Sequence, residues 1–342
     1  MVHEAILWSA ENNRRVACAL CAHRCVIAAG GWGVCGVREN REGRLVTHAY
    51  GEVIAVHVDP IEKKPFYHFL PGTTSLSIAA AGCNFKCGFC QNWQISQLSA
   101  KDAASYGGGQ KLSPEEIVAA ARARHCRSIS YTYTEPTIFF EYALDTARLA
   151  KASGLANTFV TNGFMTADAL ETVGPFLDAA NVDLKSFRDE TYKRVCKGRL
   201  QPVLDSIALM RRRGIWVEVT TLVVPGMNDG EDELRDIARF LAGVDRDMPW
   251  HLSRFHPDYE FTDRGATPVS LLQRVEGWGR EVGLRYVYIG NVAAAEDVTA
   301  CPQCGAELIR RRGFFVESDR IAGGRCPDCG TRIAGVFEKP AV

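Results

Sequence analysis

Between residues 75 and 291 the chain alternates short apolar runs with longer amphipathic stretches. The runs SLSIAAAG (75–82), SISYTYT (128–134), ANTFVTNG (156–163), AANVDLK (179–185), WVEVTTLVVPG (216–226) and WHLSRFHP (250–257) have strand length and strand composition. GLRYVYIGN (283–291) is a further strand candidate. SPEEIVAAARARH (113–125) reads as a helix, with Ser113 as N-cap, Pro114 in the first helical position and Glu116 closing a capping box. PTIFFEYALDTARLAKASG reads as a second helix that stops at Gly154, and LDSIALMRRRG and EDELRDIARFLAGV as two more. Strands alternating with helices predict βαβ units and a parallel sheet. About six strands in roughly 190 residues suit an α/β fold of the partial (β/α)6 barrel type better than a closed eight-fold barrel. Chemistry is then expected where strands end. The segments AGCNFKC, TEPT, TNGF, DLK, VVPG and FHP all sit at such ends and converge on one rim.

Composition adds little until cysteine is reached. The 342 residues are 46% hydrophobic and 23% charged, an ordinary globular balance, and the formal net charge of zero supplies no field toward nucleic acid or anionic membrane. No apolar run approaches the roughly 18 residues of a membrane span, and MVHEAILWSA lacks the basic start and apolar run of a signal peptide. A cytoplasmic protein is expected. The stretch ASYGGGQK (104–111) reads as a flexible loop that either covers the rim or only connects.

Eleven of the thirteen cysteines fall into three groups. In a chain without secretion signals such groups point to metal rather than disulfides. Cys126 and Cys196 stand apart and read as buried structural thiols. At the C-terminus Cys301, Cys304, Cys326 and Cys329 form two C-P-x-C pairs 21 residues apart, each followed by glycine, the pattern of a zinc ribbon. Near the N-terminus Cys18, Cys21, Cys25 and Cys35 are separated by two, three and nine residues, with His23 as a competing ligand. That irregular set forms a knuckle for a structural zinc or for an auxiliary iron–sulfur cluster. The expected division is a cysteine-rich region and lead-in over 1–70, the partial barrel over 71–298 and the ribbon over 299–342. Within the lead-in, AVHVDPIEKKPFYHFLPG (55–72) reads as a crossing to the first barrel strand, with Lys63 and Lys64 solvated.

The central group, Cys83, Cys87 and Cys90, has only three members. A structural zinc site takes four ligands, whereas a four-iron cluster held by three thiolates keeps one iron open for something that is not protein. The spacing C-x3-C-x2-C with Phe89 before the last cysteine resembles the cluster loop of radical S-adenosylmethionine (SAM) enzymes. The resemblance covers roughly residues 75 to 291 and implies a [4Fe–4S] cluster on Cys83, Cys87 and Cys90. It also implies SAM as cosubstrate on the open iron and an electron donor such as flavodoxin or ferredoxin. Thr134 and Glu135 of TYTEPT occupy the place of the strand end that meets the methionine amino group. VTNGFM, with Asn162, and VDLKS, with Asp183 and Lys185, resemble segments of the enzymes that activate pyruvate formate-lyase, which implies Lys185 beside the SAM carboxylate. LVVPGMND, with Val224, resembles an adenine-lining segment, and His256 a histidine that reaches the ribose. Val160 stands where those activases have aspartate, and Thr220 where they have arginine.

YVYIGNV and the flanking cysteine groups look most like the radical SAM component of the AmmeMemoRadiSam system, which implies AMMECR-type and Memo-type partner proteins. The competing reading is a zinc-dependent module that binds protein or RNA without turnover. Arg310, Arg311 and Arg312 beside Phe314 and Phe315 are the feature that would serve it, and a solvated basic turn is their plainer reading. The strand-end segments DLK and VVPG make no sense as zinc ligands and favour an enzyme.

Overall fold

The computed structural model describes residues 2–98, 109–292 and 296–338. Its centre is an open eight-stranded sheet. In chain order the strands are β1 (Ala55–Pro60), β2 (Thr74–Ala79), β3 (Ser128–Tyr131), β4 (Ala156–Thr161), β5 (Ala179–Asp183), β6 (Trp216–Val223), β7 (Trp250–Arg254) and β8 (Val287–Gly290). They lie side by side in that same order, and every pairing from β2 to β8 is parallel. β1 runs antiparallel to β2, with Ala55 opposite Ala79. The α/β partial-barrel architecture expected from the sequence is therefore present, with a seventh parallel strand supplied by Val287–Gly290.

Helices α1 (Pro114–Ala123), α2 (Phe140–Ala152), α3 (Ala167–Val173), α4 (Leu200–Arg212), α5 (Glu231–Val244) and α6 (Val269–Glu281) follow β2 to β7 in turn. The α1 capping box forms as read: Ser113 Oγ accepts from Glu116 N, and the Glu116 carboxylate accepts from Ser113 N. Gly154 takes φ +76° just past α2, a conformation that terminates helices and that glycine adopts without strain.

Strand alternation sorts two kinds of residue. Leu76, Ile78, Ile129, Phe159, Val182, Val217 and Leu252 are buried in one core with Ile117, Leu144, Ile207, Leu234 and Leu272 of the helices. The alternate positions are polar and equally buried: Ser75, Ser77, Ser130, Thr158, Asn181, Glu218 and His251. Successive strands are stitched on that face, Ser75 Oγ to Ser130 Oγ at 2.6 Å and Ser130 Oγ to Thr158 Oγ1 at 2.7 Å.

The segment after β1 closes the interior from the side of the strand starts. Tyr67 N and His68 N donate to the two oxygens of Glu218, at 3.0 and 2.8 Å. The same carboxylate accepts from Trp216 Nε1 at 3.0 Å and His251 Nε2 at 2.7 Å. From below, Leu70 N donates to Val336 O and Val336 N to His68 O, each at 2.7 Å. The lead-in of the sequence is thus a strand and a plug. Its Lys64 is buried, pairing with Asp59 Oδ2 at 2.7 Å. The strand AVHVDP exposes Val58 and buries Asp59, the reverse of the usual pattern, which hid it.

The ribbon is a three-stranded antiparallel sheet, β9 (Glu296–Ala300), β10 (Glu307–Arg312) and β11 (Phe315–Asp319). Two small antiparallel sheets carry the N-terminal region, one of Trp8–Ala10, Val16–Cys18 and Val26–Ile27. No helix among the described residues is long and apolar enough to cross a membrane. The loop ASYGGGQK lies outside the described residues except at its end, where Gln110–Lys111 pairs with Glu52–Val53.

Candidate active site

The ends of β2 to β7 open into one cavity with about 1410 Å³ of interatomic space, part of it continuous with solvent. Cys83, Cys87 and Cys90 enter it from the loop after β2, Thr134 and Glu135 from β3, Asn162 from β4, and Asp183 and Lys185 from β5. Phe89, Val160 and Thr220 also face it. Val224 and His256 do not line this cavity: Val224 is fully buried, and His256 is exposed, with its ring 3.5 Å from Asn291 O.

The cysteine loop is held at close range on both flanks. Gly82 has φ +105°, and a Cβ there would meet Cys35 O at 3.1 Å. A Cβ on Gly88 would meet the Glu260 carboxylate at 2.8 Å, and one on Gly198 would meet Phe85 Cε1 at 2.3 Å. The sulfurs are supplied with donors. Phe85 N donates to Cys83 Sγ at 3.3 Å, Asn162 Nδ2 lies 3.9 Å from the same sulfur, and Ser96 Oγ lies 3.1 Å from Cys90 Sγ. Cys196, read from the sequence as a structural thiol, is fully buried against Cys87. Their hydrogen bond, and burial after it, push the Cys87 thiol well above its usual range. Cys196 ends a π-helical turn, Tyr192–Cys196, whose Tyr192 hydroxyl accepts from Lys185 N at 3.0 Å. Nothing in the local sequence announced that meeting, because the two thiols are more than a hundred residues apart.

Lys185 Nζ pairs with Asp183 Oδ2 at 2.9 Å and stands 5.8 Å from the centre of the Phe89 ring. Burial works most strongly against its charge, but the Asp183 carboxylate and the Cys87 and Cys196 sulfurs together outweigh it, so its pKa lies well above the usual lysine value. Glu135 is already engaged. Its oxygens accept from Thr137 N and Oγ1, Thr161 Oγ1 and Asn162 N. Burial pushes its carboxyl up against those hydrogen bonds. Its contribution in this arrangement is to lock the β3 and β4 ends together. A second lysine sits in the wall: Lys64 is pushed down to about 8 by burial, with Asp59 opposing, and its Nζ lies 4.0 Å over the Tyr133 ring.

The three cysteines are soft donors sharing one cavity, with a fixed cation nearby and no fourth thiol from the same loop. That set would suit an iron–sulfur cluster with one iron free of protein ligands, beside a lysine able to pair with an anionic ligand. The chain matches the radical SAM superfamily over residues 77–241. The chain belongs to that superfamily. Its cofactors are accordingly a [4Fe–4S] cluster and SAM, used with a reductant, and it is an enzyme.

Relatives agree. An uncharacterized protein of Methanocaldococcus jannaschii, MJ0808, is 43% identical over 97% of this chain and 99% of its own length. A putative glycyl-radical enzyme activating enzyme of the same organism is 28% identical over 51% of this chain and 71% of its own. The pyruvate formate-lyase 1-activating enzyme of Escherichia coli K12 is 22% identical over 50% of this chain and 71% of its own. The solved structure of Streptococcus suis SuiB bound to precursor peptide SuiA shares the fold, with a TM-score of 0.50 and 13% identity over 67% of this chain and 51% of that one.

The C-terminal cysteine quartet is a separate candidate metal site. Cys301 Sγ and Cys329 Sγ lie 3.6 Å apart, and Cys304 Sγ and Cys326 Sγ 3.7 Å apart. A zinc tetrahedron with Zn–S of about 2.3 Å has edges of about 3.8 Å, so this quartet can hold zinc. The neighbouring arginines are spent internally. Arg311 is fully buried and donates to Tyr67 O and Thr299 Oγ1, and Arg310 and Arg312 pair with glutamates.

Proposed function

We propose that this radical SAM enzyme reductively cleaves SAM and directs the resulting radical at a hydrogen atom of a second substrate, in the manner of a glycyl-radical activase. The observation that carries the reading is the shared cavity of Cys83, Cys87, Cys90 and the Asp183–Lys185 pair at the strand ends. Cys83, Cys87 and Cys90 would hold a [4Fe–4S] cluster, which when bound would supply the electron for reductive cleavage of SAM to methionine and a 5′-deoxyadenosyl radical.

The remaining work falls to the protein. Lys185, kept cationic by Asp183, offers a charge-assisted hydrogen bond to the SAM carboxylate, and Asp183 stays available to the amino group. Glu135 acts one step back, by fixing Asn162 and Thr161 at the cavity wall. Asn162 holds Asn84 Oδ1 at 2.7 Å and so steadies the loop next to Cys83. Phe89 gives the cavity an apolar wall that keeps water from a carbon radical.

The names of the activating enzymes above support a protein or peptide substrate, and AMMECR-type and Memo-type proteins are the partners we assign. The low-potential donor is of flavodoxin or ferredoxin type, and the compartment is the cytoplasm. The zinc-dependent binding module is not favoured, since Arg310 to Arg312 are committed within the chain.

The test is deuterium transfer. Anaerobic protein is reduced with dithionite and given SAM with a uniformly deuterated AMMECR-type or Memo-type protein. Deuterium in the 5′-deoxyadenosine supports the reading. Unlabelled 5′-deoxyadenosine from both partners removes them as substrates, and no 5′-deoxyadenosine at all removes the reaction.

A further inference from the structure

We propose that Cys18, Cys21, Cys25 and Cys35 hold a second [4Fe–4S] cluster, closed by four protein thiolates, rather than a zinc ion. All four line one pocket with about 350 Å³ of interatomic space, walled by Leu20, Ile27 and Ile138. They are arranged as ligands. Cys18 N donates to Cys25 O at 2.9 Å and Arg24 N to Cys21 O at 3.0 Å, and Gly36 N closes the turn around Cys35 onto Gly33 O at 2.9 Å.

Spread decides between the metals. Among the described residues, the ribbon quartet alone brings three or more candidate ligand atoms within 4.8 Å of one another. The N-terminal quartet does not close to that span, and neither does the Cys83–Cys87–Cys90 trio. A single zinc draws four sulfurs onto edges of about 3.8 Å. A cubane carries its thiolates on four separate irons and holds them farther apart. The N-terminal set therefore has the openness of the catalytic loop, in the same chain where a zinc-type quartet is tight.

Arg38 supplies an independent observation. It is 1% exposed, lines the pocket and donates to Cys18 Sγ at 3.4 Å, while its Nε has no hydrogen-bond partner. Its remaining charge is balanced by buried Glu141. A buried guanidinium is costly unless fully engaged, and the sulfides and thiolates of a cluster would give the orphaned N–H an acceptor. The pocket also abuts the catalytic loop. His23 Nε2 lies 2.7 Å from Asn84 O, and Thr137, in the pocket wall, donates to Glu135. Four thiolates leave no iron open to SAM, so this centre differs in kind from the one beside it.

The proposal rests on the cysteine geometry and not on SAM cleavage, and its test is made in protein lacking the catalytic thiols. Full-length protein carrying Cys83→Ala, Cys87→Ala and Cys90→Ala is purified and reconstituted without oxygen, then assayed for iron, sulfide and zinc. It should retain about four irons and one zinc per chain and show a reduced-cluster electron paramagnetic resonance signal. Adding Cys21→Ser and Cys25→Ser should take iron to background and leave the zinc. Two zincs without iron in the triple variant overturn the proposal, and so does one zinc without iron. If the triple variant is insoluble, the unmutated protein decides: about eight irons support a second cluster, and about four contradict it.

Discussion

Glu218 offers the sharpest test of how the barrel interior is held. Its carboxylate is fully buried on β6 and accepts four hydrogen bonds, two to each oxygen: His68 N and Trp216 Nε1 on Oε1, Tyr67 N and His251 Nε2 on Oε2. Burial opposes the charge most strongly, but the His251 bond and charge, with the neighbouring His68 and the Tyr67 N–H, together outweigh it, so the carboxyl lies below its ordinary range. Glu218→Gln keeps the shape but turns one oxygen into an NH2 group that faces donors. Two charge-assisted bonds, each worth about 1.5–3 kcal/mol, are lost or inverted. The expected destabilisation is about 3–5 kcal/mol, the range found when one partner of a buried charged set is removed. Urea unfolding followed by tryptophan fluorescence reads this directly, since Trp216 and Trp250 are both buried in this region. Iron content of the folded variant should stay unchanged, because Glu218 sits near the start of its strand and the cysteines beyond the end of theirs. A loss under 1 kcal/mol would refute the reasoning, as it would mean that the plug is not anchored through this carboxylate.

Other outcomes follow from the same contacts. Lys185→Gln should weaken SAM binding by about 10- to 150-fold, the loss of one charged hydrogen bond, while cluster assembly is retained; equilibrium dialysis and iron analysis separate the two. Gly198→Ala places a methyl 2.3 Å from the Phe85 ring, and should cost about 1–3 kcal/mol and lower the iron retained after reconstitution, measured by urea unfolding and iron assay. His68 is pushed down to about 4 by burial, and it is held neutral between Ala334 O at 2.7 Å and the Tyr288 hydroxyl at 2.6 Å. The unfolded chain, with a histidine pKa of about 6.5, then binds more protons than the folded one between pH 6.5 and 4, so about 3 kcal/mol of stability should be lost as pH falls through that window. His68→Gln should flatten that part of the pH profile of unfolding.

Much of the site was legible because its residues lie at ends that local pattern marks. A β-branched or apolar run followed by TNG or DLK announces both the strand and its functional tip, and Asn162, Asp183 and Lys185 lie where those runs stop. The capping box at Ser113 is equally local. What escaped depends on pairs distant in sequence. Cys196 meets Cys87 only because a π-turn folds back over the cysteine loop. Glu135 looks like a free carboxylate in TYTEPT, yet Thr161 and Asn162 consume it across the sheet. Lys64 reads as a surface charge, and its burial requires Asp59 from β1 and the Tyr133 ring from the β3 end. Arg311 reads as part of a basic cluster and is instead a buried bolt between ribbon and plug.

The central claim is that Cys83, Cys87 and Cys90 form the radical-generating centre of this chain. The most direct measurement is 5′-deoxyadenosine formed from SAM by anaerobically reconstituted, dithionite-reduced protein, run beside Cys87→Ala with zinc and iron assayed in both. The account predicts 5′-deoxyadenosine from the unmutated protein and none above background from the variant, with the ribbon zinc unchanged. Formation at the same rate in both proteins, or none from unmutated protein carrying its full iron, would contradict it.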